Sequence, residues 1–197
     1  MPETHDGHTA RAGMAQFVET LVAAAGDHLL EAVAAADMDE IALYPGGLLP
    51  VVDRLRAQGF NHLLDIGGVD HHPLRPRFEI AYHFTAIPLD DVRADWRRSA
   101  AASGMKDLAR LRLRVFTDDD DPVVPTLSHL WPSANWPERE IFDLFGVRFE
   151  GHPDLRRLLN PDDWKGHPLR KDYPLRGLER RFTPGGRLGA VPPLNES

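Results

Sequence analysis

Apolar residues recur every three or four positions in three stretches of the chain, and this spacing predicts amphipathic helices. The first stretch covers residues 14–37, as one helix or as two helices broken near Gly26. The second covers residues 49–58. The third follows Trp131 and is expected to end at Gly146, because glycine readily adopts the left-handed conformation that closes a helix.

Apolar and polar residues alternate in four shorter stretches, and this period of two predicts strands at residues 41–44, 60–69, 78–88 and 108–116. In the last of these, three arginines alternate with leucine and valine, so we expect the arginine face to be solvated or covered by a partner. The connection between the second and third strands is polar and contains prolines. It therefore predicts a hairpin with a long loop.

The order of these elements predicts an α+β fold with a mostly antiparallel sheet and helices on one face, close to a split β-α-β arrangement. We place this domain at residues 14–146. Residues 1–13 are polar and are expected to be a disordered N-terminus, and residues 90–104 form a charged insertion that is expected to be helical in part. Residues 147–197 are predicted to form an extended, partner-binding arm that adds little to the stability of the domain.

Charge and proline content set the arm apart from the rest of the chain. Between residues 155 and 187 there are nine Lys/Arg against four Asp/Glu, whereas the whole chain has a formal net charge of −7. An irregular basic segment of this length is uncommon in a compact domain unless it packs on something else. Because acidic residues are interleaved with the basic ones, we expect a protein partner and no nucleic acid.

The chain has no cysteine, which excludes disulfides, zinc-thiolate sites and cysteine-ligated iron–sulfur clusters. No glycine-rich nucleotide motif, nucleophile elbow or H-E-x-x-H sequence occurs. No apolar run is long enough to span a bilayer and no signal peptide is recognisable, so we expect a cytoplasmic protein.

Local rules also assign contacts within the third helix. Glu138 lies three residues after Asn135, as in a capping box, although Ser133 is an alternative N-cap. Arg139 and Asp143 are four residues apart and are expected to pair on the outer side. The predicted apolar face also bears Glu140, which we expect to pair with an arginine of the arm. The apolar members of that face are Trp136, Ile141, Phe142, Leu144 and Phe145, and the candidate arginines are Arg156, Arg170 and Arg176.

The same segment offers one candidate site for metal or acid–base chemistry. Glu140 and Asp143 share a helix face, and His152 and His167 follow in two Gly-His-Pro triplets. A metal site would need further ligands, whereas ion pairs and turn histidines bonded to backbone groups need none. We therefore favour the structural interpretation over the metal site.

Three sequence blocks resemble the signature of the 30 kDa subunit family of respiratory complex I. They are residues 138–146 (EREIFDLFG), 149–157 (FEGHPDLRR) and 166–174 (GHPLRKDYP). The resemblance implies a non-catalytic peripheral-arm subunit without a prosthetic group, inactive in isolation. FMN and iron–sulfur clusters would reside in partner subunits of the complex. The chief partner would be the 49 kDa-type subunit beside the quinone site, together with neighbouring cluster-bearing subunits. The complex transfers electrons from NADH to a quinone and pumps protons, and this subunit would sit peripherally on the cytoplasmic side of the bacterial cell membrane.

The family has no catalytic residues to transfer, so we assign the signature residues to the interface and to architecture. They are Glu138, Arg139, Glu140, Asp143, Gly146, Gly151, His152, Pro153, Arg156, Gly166, His167, Pro168, Arg170, Lys171 and Asp172. Two alternatives stay open at this point. One is a homologous subunit of a membrane-bound hydrogenase-type complex, and the other is a stand-alone metal-dependent enzyme that uses Glu140, Asp143 and His152.

Overall fold

A computed structural model of the protein describes residues 17–33, 38–87, 109–118 and 122–175. The predicted disordered N-terminus, the predicted insertion at residues 90–104 and the arm beyond residue 175 lie outside these ranges.

The described chain contains three α-helices and seven strands. Helix α1 covers residues 17–25, α2 Leu48–Ala57 and α3 Asn135–Phe145. The strands are β1 Leu29–Val33, β2 Asp39–Leu43, β3 His62–Asp70, β4 Phe78–Thr85, β5 Arg110–Thr117, β6 Val123–Pro125 and β7 Arg148–Glu150.

Strands β1 to β5 form one sheet in the order β1-β2-β5-β4-β3. Strands β2 and β5 pair in parallel, and the other three pairs are antiparallel. The unit β2-α2-β3 therefore has two strands inserted between its own strands, which is the predicted split β-α-β arrangement. The predicted α+β fold with a mostly antiparallel sheet is confirmed.

All three helices bury side chains against the same face of the sheet. Leu21 of α1, Val52 of α2 and Ile141 of α3 belong to one core cluster with alternate residues of β4 and β5. Those strand residues are Phe78, Ile80, Tyr82, Phe84, Leu111, Leu113 and Val115, each at most 1% exposed. The period-two pattern thus predicted correctly which face of β4 and β5 lies in the core.

The prediction of helix beyond Gly26 is wrong for residues 29–33, and residues 34–37 lie outside the described ranges. Helix α1 ends in a short 3-10 turn at Gly26–His28, and the chain continues as strand β1. Strand β1 pairs antiparallel with β2, with Leu29 opposite Leu43. Pairing with a neighbouring strand satisfies the backbone groups of this alanine- and leucine-rich segment, so tertiary context overrides its helix propensity.

The opposite face of the sheet bears paired charges. Arg112 donates to Glu40 at 2.7 Å and to His83 at 2.9 Å, and Arg114 donates to both carboxylate oxygens of Glu79 at 2.7 and 2.9 Å. Burial of Glu79 raises the pKa of its carboxyl, but the hydrogen bonds and charges of Arg114 and His71 together outweigh burial, so this pKa is lowered. Two of the three arginines on this face are therefore neutralised within the chain by cross-strand pairs.

The domain extends beyond the predicted boundary at residue 146. Val147 and Phe149 are 1% and 2% exposed in the core, and β7 pairs in parallel with β6. Residues 147–150 therefore pack within the folded domain, and from this packing we expect them to add to its stability.

Candidate partner-binding segment around helix α3

Helix α3 begins differently from the predicted capping box. It follows a short 3-10 turn at Pro132–Ala134, and neither Ser133 nor Asn135 caps it with a side chain. Glu138 is fully buried and accepts from the backbone N–H of Leu127 at 2.7 Å and from the Thr126 hydroxyl. The helix therefore turns a carboxyl toward the core, which a purely apolar face does not predict.

The outer side of α3 exposes Trp136 and Glu140, which were predicted to lie on the apolar face and in an ion pair with the arm, respectively. The side chain of Trp136 is 68% exposed, so its assignment to the apolar face is wrong. Glu140 is exposed and has no hydrogen bond or ion pair within the described parts of the chain, so the predicted pairs with Arg156 and Arg170 are absent. Arg176 lies outside the described residues.

Asp143 is the centre of the contacts between α3 and the following segment. Its Oδ2 accepts the backbone N–H groups of Leu158, Leu159 and Asn160 at 3.1, 2.8 and 2.8 Å. Its Oδ1 accepts from the Arg157 guanidinium at 2.7 Å and from the Asn160 amide at 3.0 Å. One buried carboxylate therefore organises an irregular stretch of chain that has few backbone partners of its own.

The ionisation of Asp143 is consistent with these contacts. Burial opposes the charged form, but hydrogen bonds from Asn160, Arg157 and Leu159 outweigh it and lower the pKa to about 2. The predicted pair between Arg139 and Asp143 is wrong. Arg139 instead donates to the backbone carbonyls of Arg156 at 3.1 Å and Arg157 at 3.0 Å.

The second Gly-His-Pro triplet packs on the C-terminal end of α3. His167 Nδ1 donates to the Asp143 carbonyl at 2.9 Å, and the Leu169 N–H donates to the Leu144 carbonyl at 3.0 Å. Arg157 also donates to the Gly166 carbonyl at 3.0 Å. The arm thus supplies donors to carbonyls that a helix end leaves without partners.

Gly146 is required at this helix end for two reasons. Its φ is +80°, which is left-handed, and a Cβ built on it would lie 2.6 Å from the His167 ring. We expect Gly146→Ala to lower the free energy of unfolding by about 1–3 kcal/mol, because the strain and the displaced ring add. Chemical denaturation checks this against Gly67→Ala, where the added Cβ has nothing within 4 Å. Equal losses in the two variants would contradict the role given to Gly146.

The first Gly-His-Pro triplet is held by both ring nitrogens of its histidine. The His152 side chain is fully buried; Nε2 donates to the Asn135 carbonyl at 3.1 Å and Nδ1 accepts the Asp154 N–H at 3.0 Å. The prediction that His152 and His167 bond to backbone groups in turns is confirmed by the geometry. Arg156 pairs with Asp154 at 2.9 Å on the exposed side of this turn.

A third attachment, which the sequence analysis missed, joins the arm to the loop between β3 and β4. Arg77 makes two bonds of 3.0 Å to the Asp70 carboxylate and one of 2.7 Å to Asp172. Asp70 also accepts the Lys171 N–H at 2.7 Å. Burial would raise the pKa of Asp70, but these bonds hold it well below its usual range. Arg170 lies over the Phe78 ring at 5.0 Å.

The candidate metal ligands are not brought together. Both oxygens of Asp143 and both ring nitrogens of His152 are already bonded within the chain, and Glu140 points to solvent. Across the described ranges, no group of three or more His, Asp or Glu side chains is placed to hold an ion. Nor does the described part of the chain contain a helix long and apolar enough to cross a membrane.

Comparison with known proteins shows what this architecture is similar to. Residues 41–179 match the family model described as respiratory-chain NADH dehydrogenase, 30 Kd subunit. The C subunit of NADH-quinone oxidoreductase from Azoarcus sp. (strain BH72) is 40% identical over 182 residues, covering 89% of this chain and 79% of that protein. NADH-quinone oxidoreductase subunit 5 of Thermus thermophilus is 43% identical over 134 residues, covering 66% of this chain but only 58% of that longer protein.

Two solved structures share the fold. The trypsin-resistant fragment (1–134) of Nqo5 superposes with a TM-score of 0.55 at 32% identity, covering 72% of this chain and 98% of the fragment. A chain of the archaeal membrane-bound sulfane sulfur reductase superposes with a TM-score of 0.62 at 21% identity, covering 85% of this chain and 86% of that one. At that identity the second likeness shows the fold alone.

The family match covers about seven tenths of the chain and includes every signature residue from Glu138 to Asp172. The predicted resemblance is therefore confirmed: the chain belongs to the respiratory-chain NADH dehydrogenase 30 Kd subunit family.

Proposed function

We propose that the chain is a non-catalytic peripheral-arm subunit of a proton-translocating NADH:quinone oxidoreductase. In this proposal it supports assembly beside the 49 kDa-type subunit at the quinone site. Electrons pass from NADH to the quinone through FMN and iron–sulfur clusters that the partner subunits hold. The chain lies peripherally on the cytoplasmic side of the membrane and contacts the membrane only through the complex.

The observation that supports this proposal best is where the signature residues lie. Glu138, Asp143, His152 and His167 form hydrogen bonds within the chain, and so do Arg77 and Asp172. These bonds fix residues 151–173 to α3 and to the β3–β4 loop. A fixed, irregular segment with its reactive groups already bonded suits a binding surface better than a catalytic pocket.

The surface proposed for the partner surrounds α3. Trp136 and Glu140 lie one turn apart on its outer side, and Leu159 and Leu169 are 62% and 52% exposed on segments whose backbones bond Asp143 and Leu144. We call these four side chains the α3 surface. Exposed leucines are ordinary one at a time, but a tryptophan, two leucines and an unpaired carboxylate around one helix are typical of an interface.

The cofactor assignment follows from composition. Because the chain has no cysteine, a cluster on the electron path would need ligands from other subunits. The absence of a glycine-rich nucleotide motif from the sequence likewise supports the proposal that partner chains bind NADH and FMN.

Affinity purification of the tagged chain from detergent-solubilised membranes of its host tests the proposal. Mass spectrometry of the eluate is expected to find flavin- and cluster-bearing subunits, and the eluate is expected to reduce a quinone with NADH. Recovery of a nickel–iron hydrogenase set would replace the proposal with the sister-complex alternative. Recovery of the chain alone would overturn it.

Substitution of the α3 surface tests the proposed contact. Glu140→Ala is expected to leave unfolding of the isolated chain unchanged and to lower co-purification of partner subunits at least about fivefold, because it removes a charge without an internal partner. Glu19→Ala, at an exposed position of helix α1, is the matched control. Arg139→Ala should also reduce assembly, by freeing the carbonyls of residues 156 and 157. Wild-type recovery with both the Glu140 and the Arg139 variant would contradict the assigned surface.

A further inference from the structure

Among the described residues, Glu138 is a buried carboxyl that has no arginine or lysine partner. Its side chain is fully buried, and no arginine or lysine within the described residues lies within 4.0 Å of it. The only ionisable group at ion-pair distance in these ranges is His152, with Nε2 3.9 Å from Glu138 Oε2. An unpaired carboxylate in such a place is costly, so the site favours a bound proton.

The hydrogen bonds around Glu138 and His152 indicate which of the two side chains carries the proton that neutralises the carboxyl. His152 Nδ1 accepts the Asp154 N–H, so that nitrogen has no hydrogen, and Nε2 donates to the Asn135 carbonyl. The imidazole is therefore neutral. Thr126 Oγ1 donates to the ionised carboxylate of Glu138. When Glu138 is protonated, its own O–H donates across the same contact, and the Thr126 hydroxyl turns to Ser128 Oγ, 2.8 Å away.

The other groups that face Glu138 compensate its charge only in part, since the charge of His129 lowers the Glu138 pKa by less than burial raises it. Tyr82, on β4, is fully buried and its hydroxyl has no hydrogen-bond partner in the described part of the chain, while His129, on the loop after β6, is exposed. Burial raises the pKa of Glu138 to about 7, against hydrogen bonds from Thr126 and Leu127 that lower it. Burial and the Glu138 charge also raise the pKa of Tyr82, which stays neutral.

We propose that Glu138 holds a proton in the interior beside the neutral His152, and that this proton keeps the turn at residues 151–154 closed against α3. Loss of the proton leaves a buried charge beside Tyr82. A proton on His152 Nδ1 would neutralise the Glu138 charge, but it would break the hydrogen bond that Nδ1 accepts from the Asp154 N–H, because both nitrogens of imidazolium are donors. Entry of water would relieve the charge only by opening the turn. Both routes loosen the start of the segment that leads to residues 156–173.

The sign of the effect follows from linkage. The carboxyl has an ordinary pKa of 4.5 when the turn is open and about 7 when it is closed. The contribution of the proton to closure is therefore complete below pH 4.5 and is lost as pH rises through 7. The equilibrium constant for opening the turn should increase by up to about a hundredfold across this window. Asp70 and Asp143 do not interfere, since their lowered pKa values place their titration below it.

The experiment uses the full chain with ¹³C-carboxyl-labelled glutamate. In NMR titrations, one glutamate resonance is expected to have its midpoint near pH 7 and to be missing from Glu138→Gln. The control variant, Glu140→Gln, replaces an exposed carboxyl of the same helix and should leave the resonance with a midpoint near pH 7 in place. A Glu138 resonance that titrates below about pH 5, or does not titrate at all, would overturn the proposal.

Hydrogen exchange at the Asp154 amide tests the link to the turn. After correction for the intrinsic rate, its protection in wild type should fall by up to about a hundredfold between pH 4.5 and 7.5. Glu138→Gln mimics the protonated acid and should keep the amide protected throughout. If the protection of the Asp154 amide in wild type were independent of pH, the proposed link between the Glu138 proton and closure of the turn would be overturned, whether or not the variant folds. Neither the NMR titration nor hydrogen exchange depends on assembly with other subunits.

Discussion

Replacing Asp143 with asparagine is expected to lower the free energy of unfolding by about 3–5 kcal/mol, as for other buried ion pairs deprived of one partner. Both carboxylate oxygens accept hydrogen bonds, three from backbone N–H groups and two from side chains. An asparagine has the same shape, but whichever way its amide is oriented, an NH2 group faces donors. The Arg157 guanidinium also loses its counter-charge.

Chemical denaturation of the purified chain measures this loss, and Glu140→Gln is the matched control. Glu140 lies one turn away on the same helix but is exposed and unpaired in the described structure, so its change should stay within about 0.5 kcal/mol. Equal stability of the two variants would show that Asp143 does not organise the segment.

The pH dependence gives a second check on Asp143. Its pKa is lowered from 3.8 to about 2, so its stabilising contribution is complete above pH 3.8 and is lost as pH falls through 2. The difference in free energy of unfolding between wild type and Asp143→Asn should therefore be constant near neutral pH and become smaller in acid. A gap that widened below pH 4 would contradict the assigned charge state.

Ending the chain after Gly146 is expected to abolish cooperative unfolding. This truncation deletes Val147 and Phe149 from the core, the strand β7 and every partner of Asp143 on the following segment. Removal of one buried phenylalanine side chain costs about 3–5 kcal/mol, which is already a large part of a domain stability of about 5–15 kcal/mol. Circular dichroism melts measure the outcome.

Two longer chains separate the contributions to that loss. A chain that ends after residue 150 keeps Val147 and Phe149 but lacks the rest of the arm, and a chain that ends after residue 175 keeps all the described contacts. We expect stability to rise in that order. If the chain ending at residue 146 melted like the one ending at residue 175, the arm would contribute nothing to the domain, as the sequence alone suggested.

Part of the candidate site was visible in the sequence because its signals are local. The glycine that ends α3, the two turn histidines and the importance of Asp143 were all identified from residues close in the chain. The predicted partners were mostly wrong, since Arg139 and Asp143 were paired with each other by helix spacing and Glu140 was paired with an arginine of the arm. In the structure, Asp143 forms hydrogen bonds with residues 14 to 17 positions later in the sequence. The geometry of a helix predicts contacts only between residues three or four positions apart.

Glu138 fits the sequence rule for a capping box, but its side chain does not cap the helix in the structure. A glutamate three residues after a polar residue is the usual capping-box pattern. Here the loop at residues 126–128 places a hydroxyl and an N–H on the inner side of α3, and both groups hydrogen-bond the Glu138 carboxyl. Only packing of that loop against the helix decides between the two.

The sequence by itself determined the elements whose pattern repeats within a few residues and the family. Strands β4 and β5, helix α2 and the sidedness of the sheet follow from local period and turn chemistry, because these depend on neighbours in the chain. The tertiary structure alone decided that residues 29–33 form a strand, that Val147 and Phe149 belong to the core, and that Arg77 binds Asp172 from 95 positions away. Such contacts depend on which surfaces pack together in the folded chain, and the pattern of apolar and polar residues does not specify which surfaces these are.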